Sequence, residues 1–210
     1  FVHTLYTLKS QPLPAEVKEE ARKCLLDQVG VMFAGAKLLG DQLETYLDMF
    51  SGDEATAIGL GRKASLQNAA LVNGISGHAM DYDDGHRFST VHLGSAVIPA
   101  VLAVAEKENL SMEDVLRGIV IGYEAAIRMG NCVQPAHRAR GFHSSGTVGT
   151  IGAAMGVAAL LDYDRELFAA TMATACTSEL VTPTMKLEIP RDSILPTRFF
   201  ASFMVRWESS

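Results

Sequence analysis

The stretch from Phe142 to Leu161, which contains no Asp, Glu, Lys or Arg, most restricts how this chain can fold. It carries four glycines at spacings of three, three and four: Gly146, Gly149, Gly152 and Gly156. These spacings place the glycines on one helical face, where each costs up to about 1 kcal/mol relative to alanine. Glycine and His143 also make the stretch a poor membrane span. We therefore predict a buried helix over 145–160 that packs closely against another helix.

Other parts of the chain repeat apolar residues at helical spacing. Val17, Ala21, Leu25, Val29 and Phe33 form one stripe. The stripe predicts a helix from Pro14 to Ala34 that Gly35 ends, followed by a short helix from about Asp41 to Phe50. A short strand is expected at 55–58.

Capping residues and prolines predict where the later helices begin. We expect helices over 66–78 behind Ser65, from Pro99 onward, from Ser111 to Gly130, and over 165–177 behind Asp164. No long stretch alternates apolar and polar residues as a half-buried strand does. The fold class predicted is all-α, with seven or eight helices.

Composition excludes several classes of function. The chain has 210 residues, a net charge of -6 and a pI near 5.5, so it lacks the basic surface that nucleic-acid binding requires. Its three cysteines are far apart and form no Cys-x-x-Cys pair, which argues against a disulfide framework and a zinc site. No signal peptide or membrane span is recognisable. We expect a cytoplasmic protein that binds neither nucleic acid nor membrane.

The segment from His78 to Gly94 concentrates the titratable residues of the chain. It holds three carboxylates and three imidazoles: Asp81, Asp83, Asp84, His78, His86 and His92. Such crowding is typical either of a solvated loop or of a site where neighbouring charges shift one another's pKa values. The apolar segments on both sides favour a site.

Two histidines in this pattern are candidates for proton transfer. His92 comes just before a predicted buried helix, and His143 comes just before Ser144, where the positive end of a helix dipole disfavours a charged imidazole. Asp81 or Asp83 can orient an imidazole, while Arg138, Arg140 and Lys186 can hold carboxylates. Together they predict proton abstraction or elimination on a small polycarboxylate, with Arg138 and Ser144 in substrate binding.

The sequence leaves three other interpretations to consider. Asp81, Asp83, Asp84 and His86 would be the ligands if the chain were a magnesium-dependent enzyme acting on a diphosphate. Gly59-x-Gly61-x-x-Ala64 is similar to a dinucleotide fingerprint, but no parallel strand is predicted after it, so a tight turn is the better interpretation. A non-catalytic homologue that dimerises through its helices is the third.

Several spaced blocks resemble the MmgE/PrpD family, which includes 2-methylcitrate dehydratase, cis-aconitate decarboxylase and iminodisuccinate epimerase. The blocks are Asn68-Ala-Ala-Leu-Val-Asn-Gly-Ile-Ser-Gly-His-Ala-Met-Asp-Tyr-Asp-Asp84, His92-x-Gly94, Ala96-Val-Ile-Pro-Ala100 and Gly141-Phe-His143. The resemblance implies a helical domain, here residues 1–180, and a smaller α+β lid domain. Residues 181–210 do not match the family pattern, so the lid is expected to be missing or incomplete.

The resemblance also implies what the chain does. It implies chemistry without a cofactor or metal on a small di- or tricarboxylate, and commonly a homodimer. Residue by residue, it places Asp81, His92, His143 and, across a shorter segment, Lys186 around the substrate.

We predict a lyase that dehydrates a hydroxylated tricarboxylate such as 2-methylcitrate or citrate. His143 would be the base, and His92, held protonated by Asp81, would be the acid. Lys186 and Arg138 would hold carboxylates and stabilise the developing negative charge. Decarboxylation or epimerisation of a related polycarboxylate, or an inactive truncated homologue, are the alternatives.

Overall fold

The computed structural model describes residues 1–179. Its elements are α1 (Val2–Lys9), α2 (Ala15–Asp48), β1 (Ala55–Ala57), a 3₁₀ turn (Ile58–Leu60), β2 (Arg62–Ala64), α3 (Leu66–His78), α4 (Gly94–Lys107), α5 (Met112–Val133), α6 (Ala136–Ala139), α7 (Ser144–Leu160) and α8 (Arg165–Glu179). Within this range the antiparallel pair of β1 and β2 is the only sheet. The prediction of an all-α fold is confirmed, while the predicted tail lies outside the described residues.

Helix α7 is the centre of the molecule. Every residue of α7 except Thr147 is buried, and the helix packs against α5, α4 and α8. Two glycines of the predicted face, Gly152 and Gly156, lie against α5, whereas Gly149 lies against Ala96 of α4. A β-carbon added at Gly152 would lie 2.9 Å from the carbonyl oxygen of Gly122, and one added at Gly156 would lie 2.8 Å from that of Gly118. The backbones of α5 and α7 thus approach each other too closely for larger side chains.

Helix α2 corrects the prediction of two separate helices. It runs unbroken through Gly35, because that glycine is a contact point and not an end. A β-carbon there would lie 1.8 Å from the carbonyl oxygen of Ser76 in α3. The predicted apolar stripe is also wrong at Phe33, which is 54% exposed. Steps of four residues advance by about 40° each, so the stripe drifts away from the buried face.

The start of α4 corrects a second prediction. The helix begins at Gly94, five residues before Pro99, because the Asp84 carboxylate accepts hydrogen bonds from the backbone N–H groups of Leu93 and Gly94. Pro99 lies inside the helix, where it removes one backbone donor.

Other predicted helix ends stand close to the observed ones. Ser111 and Asp114 form a reciprocal capping box at the start of α5, and Asp164 accepts a hydrogen bond from Leu167 N–H in the first turn of α8. Helix α5 continues to Val133, three residues beyond its predicted end. Short helices α1 and α6 were not predicted.

The hairpin formed by β1 and β2 precedes α3. Gly61 turns the chain between the strands in a left-handed conformation with φ of 63°, so the Gly-x-Gly segment is a tight turn, as expected. Asn73 of α3 accepts from Ile58 N–H and donates to the Thr56 carbonyl, which fixes the hairpin against the helix. Ser65 occupies the N-cap position of α3, but the Glu54 carboxylate makes the bond to Leu66 N–H.

None of the helices in residues 1–179 combines the length and apolarity needed to span a bilayer.

We expect Gly152→Leu to lower the free energy of unfolding by about 1–3 kcal/mol, because the side chain would overpack the contact with Gly122 and Ala126. Urea unfolding followed by circular dichroism measures the change. Gly30→Ala in α2 is the matched control: its added carbon meets nothing within 4 Å. The control should leave stability unchanged or raise it by up to about 1 kcal/mol. Equal stability of the two variants would contradict the close packing.

Candidate active site

The loop between α3 and α4, residues 79–93, is held in place by Asp84. One oxygen of its carboxylate accepts from Leu93 N–H at 3.1 Å and Gly94 N–H at 2.7 Å, and the other accepts from the Tyr123 hydroxyl at 2.7 Å. The loop is therefore tied to the start of α4 and to α5. Burial, with the negative charge of Asp84, raises the pKa of Tyr123 far above its ordinary value, so this hydroxyl remains a donor.

Asp83 points the other way and lies under two imidazoles. Its side chain is fully buried, and both of its oxygens lie 3.0 Å from Nδ1 of His78. Its Oδ1 also lies 3.3 Å from Nδ1 of His92. The rings of His78 and His92 meet edge to face, with centroids 4.9 Å apart. Two imidazoles thus share one buried carboxylate.

Hydrogen bonding determines the charges of this pair. Burial acts to raise the pKa of Asp83, but hydrogen bonds from His78 and Ser95 outweigh it, and the pKa lies below its ordinary value. The hydrogen bond to Asp83 raises the pKa of His78 above its ordinary value, against a smaller opposing effect of burial. Asp83 is therefore ionised at neutral pH, and the protonated form of His78 is favoured.

His92 lies between the buried carboxylate and an exposed one. Its Nδ1 is buried and has no hydrogen-bond partner among residues 1–179, although it is within ion-pair distance of Asp83. Its Nε2 lies 3.6 Å from Oδ1 of Asp81, whose side chain is 79% exposed. The structure thus brings together the predicted pair of Asp81 and His92, and it adds His78 and Asp83 around them.

The start of α7 contacts the same loop. The backbone N–H of His92 donates to the Ser145 hydroxyl at 3.0 Å, and the hydroxyls of Ser144 and Thr90 lie 3.2 Å apart. Gln134 donates to both Ser144 and Thr90, at 2.5 and 2.6 Å. These bonds fix the N-terminus of α7 beside the part of the loop that carries His92.

The other predicted site residues lie around this helix start. His143 occupies the N-cap position of α7, and its side chain is exposed and makes no capping hydrogen bond. Arg138 is exposed on α6, and its backbone N–H donates to Gln134 Oε1. No carboxylate of the described residues pairs with its guanidinium. Lys186 lies outside the described residues.

Sequence reasoning missed the roles of His78 and Gln134. The spacing of five between His78 and Asp83, across a helix end, was the available signal for their contact. Gln134 had no comparable signal, because its partners Thr90 and Ser144 are distant in the sequence.

Two of the four residues in the magnesium interpretation, Asp84 and His86, make other contacts. Asp84 is occupied by backbone N–H groups and Tyr123, and Nδ1 of His86 bonds Ser89. One donor atom from each of His78, Asp81, Asp83 and His92 lies within 4.8 Å of the others. That cluster can hold a cation, but its two imidazoles are not the oxygen ligands that magnesium prefers.

The sequence of the chain is similar to one protein family and to several known proteins. The model of the family described as "MmgE/PrpD N-terminal domain" matches residues 1–186. A cis-aconitate decarboxylase-like protein of Aspergillus oryzae is 29% identical over 180 residues, which is 81% of this chain and 37% of that protein.

Two proteins named cis-aconitate decarboxylase are also similar. The one from Aspergillus terreus is 25% identical over 183 residues, which covers 83% of this chain and 37% of that protein. The human one is 28% identical over 162 residues, with 73% and 34% covered. The chain thus spans little more than a third of the length of these relatives.

We expect Tyr123→Phe to lower the free energy of unfolding by roughly 1.5–3 kcal/mol, because it removes a buried hydrogen bond to the Asp84 carboxylate. Tyr82→Phe is the matched control, since Tyr82 is 73% exposed. Urea unfolding of both variants measures the difference. A loss for Tyr123→Phe no larger than for the control would show that this bond does not hold the loop.

Proposed function

The chain belongs to the MmgE/PrpD family, and on that premise we propose that it is the helical part of a lyase acting on a small tricarboxylate. The observation that carries the proposal is the position of His92. Nδ1 of its ring lies 3.3 Å from the buried Asp83 carboxylate, and its backbone N–H donates to the hydroxyl of Ser145, the second residue of α7. His143 immediately precedes that helix. Two imidazoles on separate segments are what proton transfer to and from one substrate requires.

His143 is the base in this proposal and His92 the acid. His143 is exposed at the N-cap position of α7, where its ring is accessible to accept a proton from a bound substrate. Nε2 of His92, the atom that would give up the proton, lies 3.6 Å from Oδ1 of Asp81. Asp81 is the partner of the acid.

The carboxylates of the substrate are assigned to the region around the start of α7. The first N–H groups of a helix lack intrahelical partners and attract anions. No acidic residue stands in the first turn of α7, and Arg138 is exposed nearby in the chain without a carboxylate partner in the described part. We assign substrate binding to Ser144 and Arg138, and we assign Lys186 to the same task from the family resemblance.

Dehydration is our first candidate for the reaction. The base removes a proton from the carbon beside a carboxylate, the C–O bond breaks, and the hydroxyl leaves as water with the proton of the acid. A hydroxylated tricarboxylate such as 2-methylcitrate or citrate has the required groups.

Decarboxylation is the second candidate, favoured by the names of the relatives. There a C–C bond breaks, carbon dioxide leaves, and the electron pair left on carbon accepts a proton from His92. Carbon dioxide release from cis-aconitate, measured against formation of an unsaturated acid from 2-methylcitrate or citrate, separates the two reactions.

The resemblance supports a homodimer as a proposal, and the three scattered cysteines support a location in the reducing cytoplasm. Helix α2 leaves Leu26 75% and Leu38 60% exposed, so apolar surface is available for association. Analytical ultracentrifugation of the full-length protein tests the dimer, and a monomer at all concentrations would refute it.

We expect His92→Gln and His143→Gln, each in the full-length protein, to lower turnover roughly 100-fold or more, because each removes a proton-transfer group. Steady-state turnover of the substrates above measures the loss. His3→Gln is the control, since His3 is exposed on α1 and should change turnover little. If either site variant stayed within a factor of about three of the unmodified protein, its assigned role would be wrong.

A further inference from the structure

Each ring nitrogen of His92 lies near a carboxylate, and the two carboxylates differ in solvent exposure. The carboxylate at Nδ1, from Asp83, has a fully buried side chain, whereas the carboxylate near Nε2, from Asp81, is 79% exposed. Water screens the exposed charge much more effectively than the buried one. Oδ1 of Asp83 lies 3.3 Å from the buried Nδ1, so its negative charge repels a lone pair on that nitrogen and attracts a proton there. This contact favours the neutral tautomer that carries its proton on Nδ1.

We propose that Asp83 and His78 are positioning residues for His92: Asp83 keeps a proton on Nδ1 so that Nε2 exchanges the other, and His78 balances the charge of Asp83. This deepens the proposed function, since it assigns the atom through which His92 acts. It rests on the shared carboxylate and on the 4.9 Å between the two rings.

His78 and Asp83 act on His92 with opposite signs. The Asp83 carboxylate favours the imidazolium of His92, whereas a protonated His78 ring disfavours a second positive charge so close by. The hydrogen bond to Asp83 raises the pKa of His78 and so favours its protonated form. Without His78, the buried charge of Asp83 would act on His92 alone.

The remaining polar and charged neighbours of His92 come from its own loop and from α7. Asp81, in the same loop, lies at Nε2. Asp84 is bonded to the backbone at the start of α4 and to Tyr123 of α5. Helix α7 contributes its N-terminus through the uncharged Ser145, with His143 at its cap. None of these groups makes the hydrogen bond that joins His78 to Asp83.

The experiment is a pH titration of the histidine side chains by ¹H–¹⁵N NMR, with the full-length protein and its variants. In the unmodified protein, we expect neutral His92 to carry its proton on Nδ1, the less common tautomer. His78→Gln should move the titration midpoint of His92 upward by about half a pH unit or more. Asp83→Asn should move it downward, and the control His3→Gln should leave it unchanged.

The opposite signs distinguish positioning from a structural role, because loosening of the loop would move both variants in the same direction. Circular dichroism checks folding. His78 is the safer position, since its side chain is 42% exposed, so the proposal remains testable if Asp83→Asn does not fold. A neutral His92 with its proton on Nε2, or an unchanged midpoint in folded His78→Gln, would overturn it.

The outcome is separable from that of the proposed function. If the midpoints move as expected but His92→Gln keeps full turnover, the positioning is right and the catalytic role of His92 is wrong. If His92→Gln is inactive but the midpoints do not move, His92 acts without this pair.

Discussion

The close contact between α5 and α7 is the constraint on which the rest of the structure depends. Gly118 and Gly122 on one helix face Gly152 and Gly156 on the other, and the carbonyl oxygens lie where side chains would otherwise be. Such packing fixes both the distance and the axial position of α7, since larger residues on either side would collide. The position of α7 then determines where Ser144 and Ser145 meet the loop that carries His92.

Two adjacent aspartates of that loop contact different partners. Asp84 bonds backbone N–H groups at the start of α4, and Asp83 turns inward to His78 and His92. Gln28 of α2 lies between the two helices that flank the loop. A β-carbon at Gly77 or Gly94 would lie 2.0 or 2.3 Å from its amide atoms, so both glycines make room for this side chain. The loop is thus held at both ends by contacts that tolerate little change.

The sequence predicted the helices better than their ends. Local signals sufficed for α7, whose glycine face and apolar length stand within one segment, and for the capping box at Ser111. They failed at Gly35, where the helix continues because α3 packs against that glycine, and at Gly94, where a distant carboxylate starts the helix. Both errors have the same cause: a tertiary contact overrides a local propensity.

The candidate site shows the same limit at the level of single residues. The sequence left Asp81 and Asp83 open as partners of an imidazole, and in the structure Oδ1 of Asp81 lies 3.6 Å from Nε2 of His92. It did not indicate which of two neighbouring aspartates is buried under the imidazoles, because adjacent residues have similar sequence surroundings. Gln134 donates hydrogen bonds to both Thr90 and Ser144, and no local sequence pattern indicates these contacts.

The two helix starts beside His92 differ in a way that bears on binding. At α4 the Asp84 carboxylate accepts from two backbone N–H groups, so a negative charge of the protein already satisfies that end. At α7 the first turn has no acid, and its serine hydroxyls bond neutral groups. An anion therefore gains more from the second helix start than from the first. A carboxylate placed there would lie at the helix end that His143 precedes, on the side of the molecule where His92 is held.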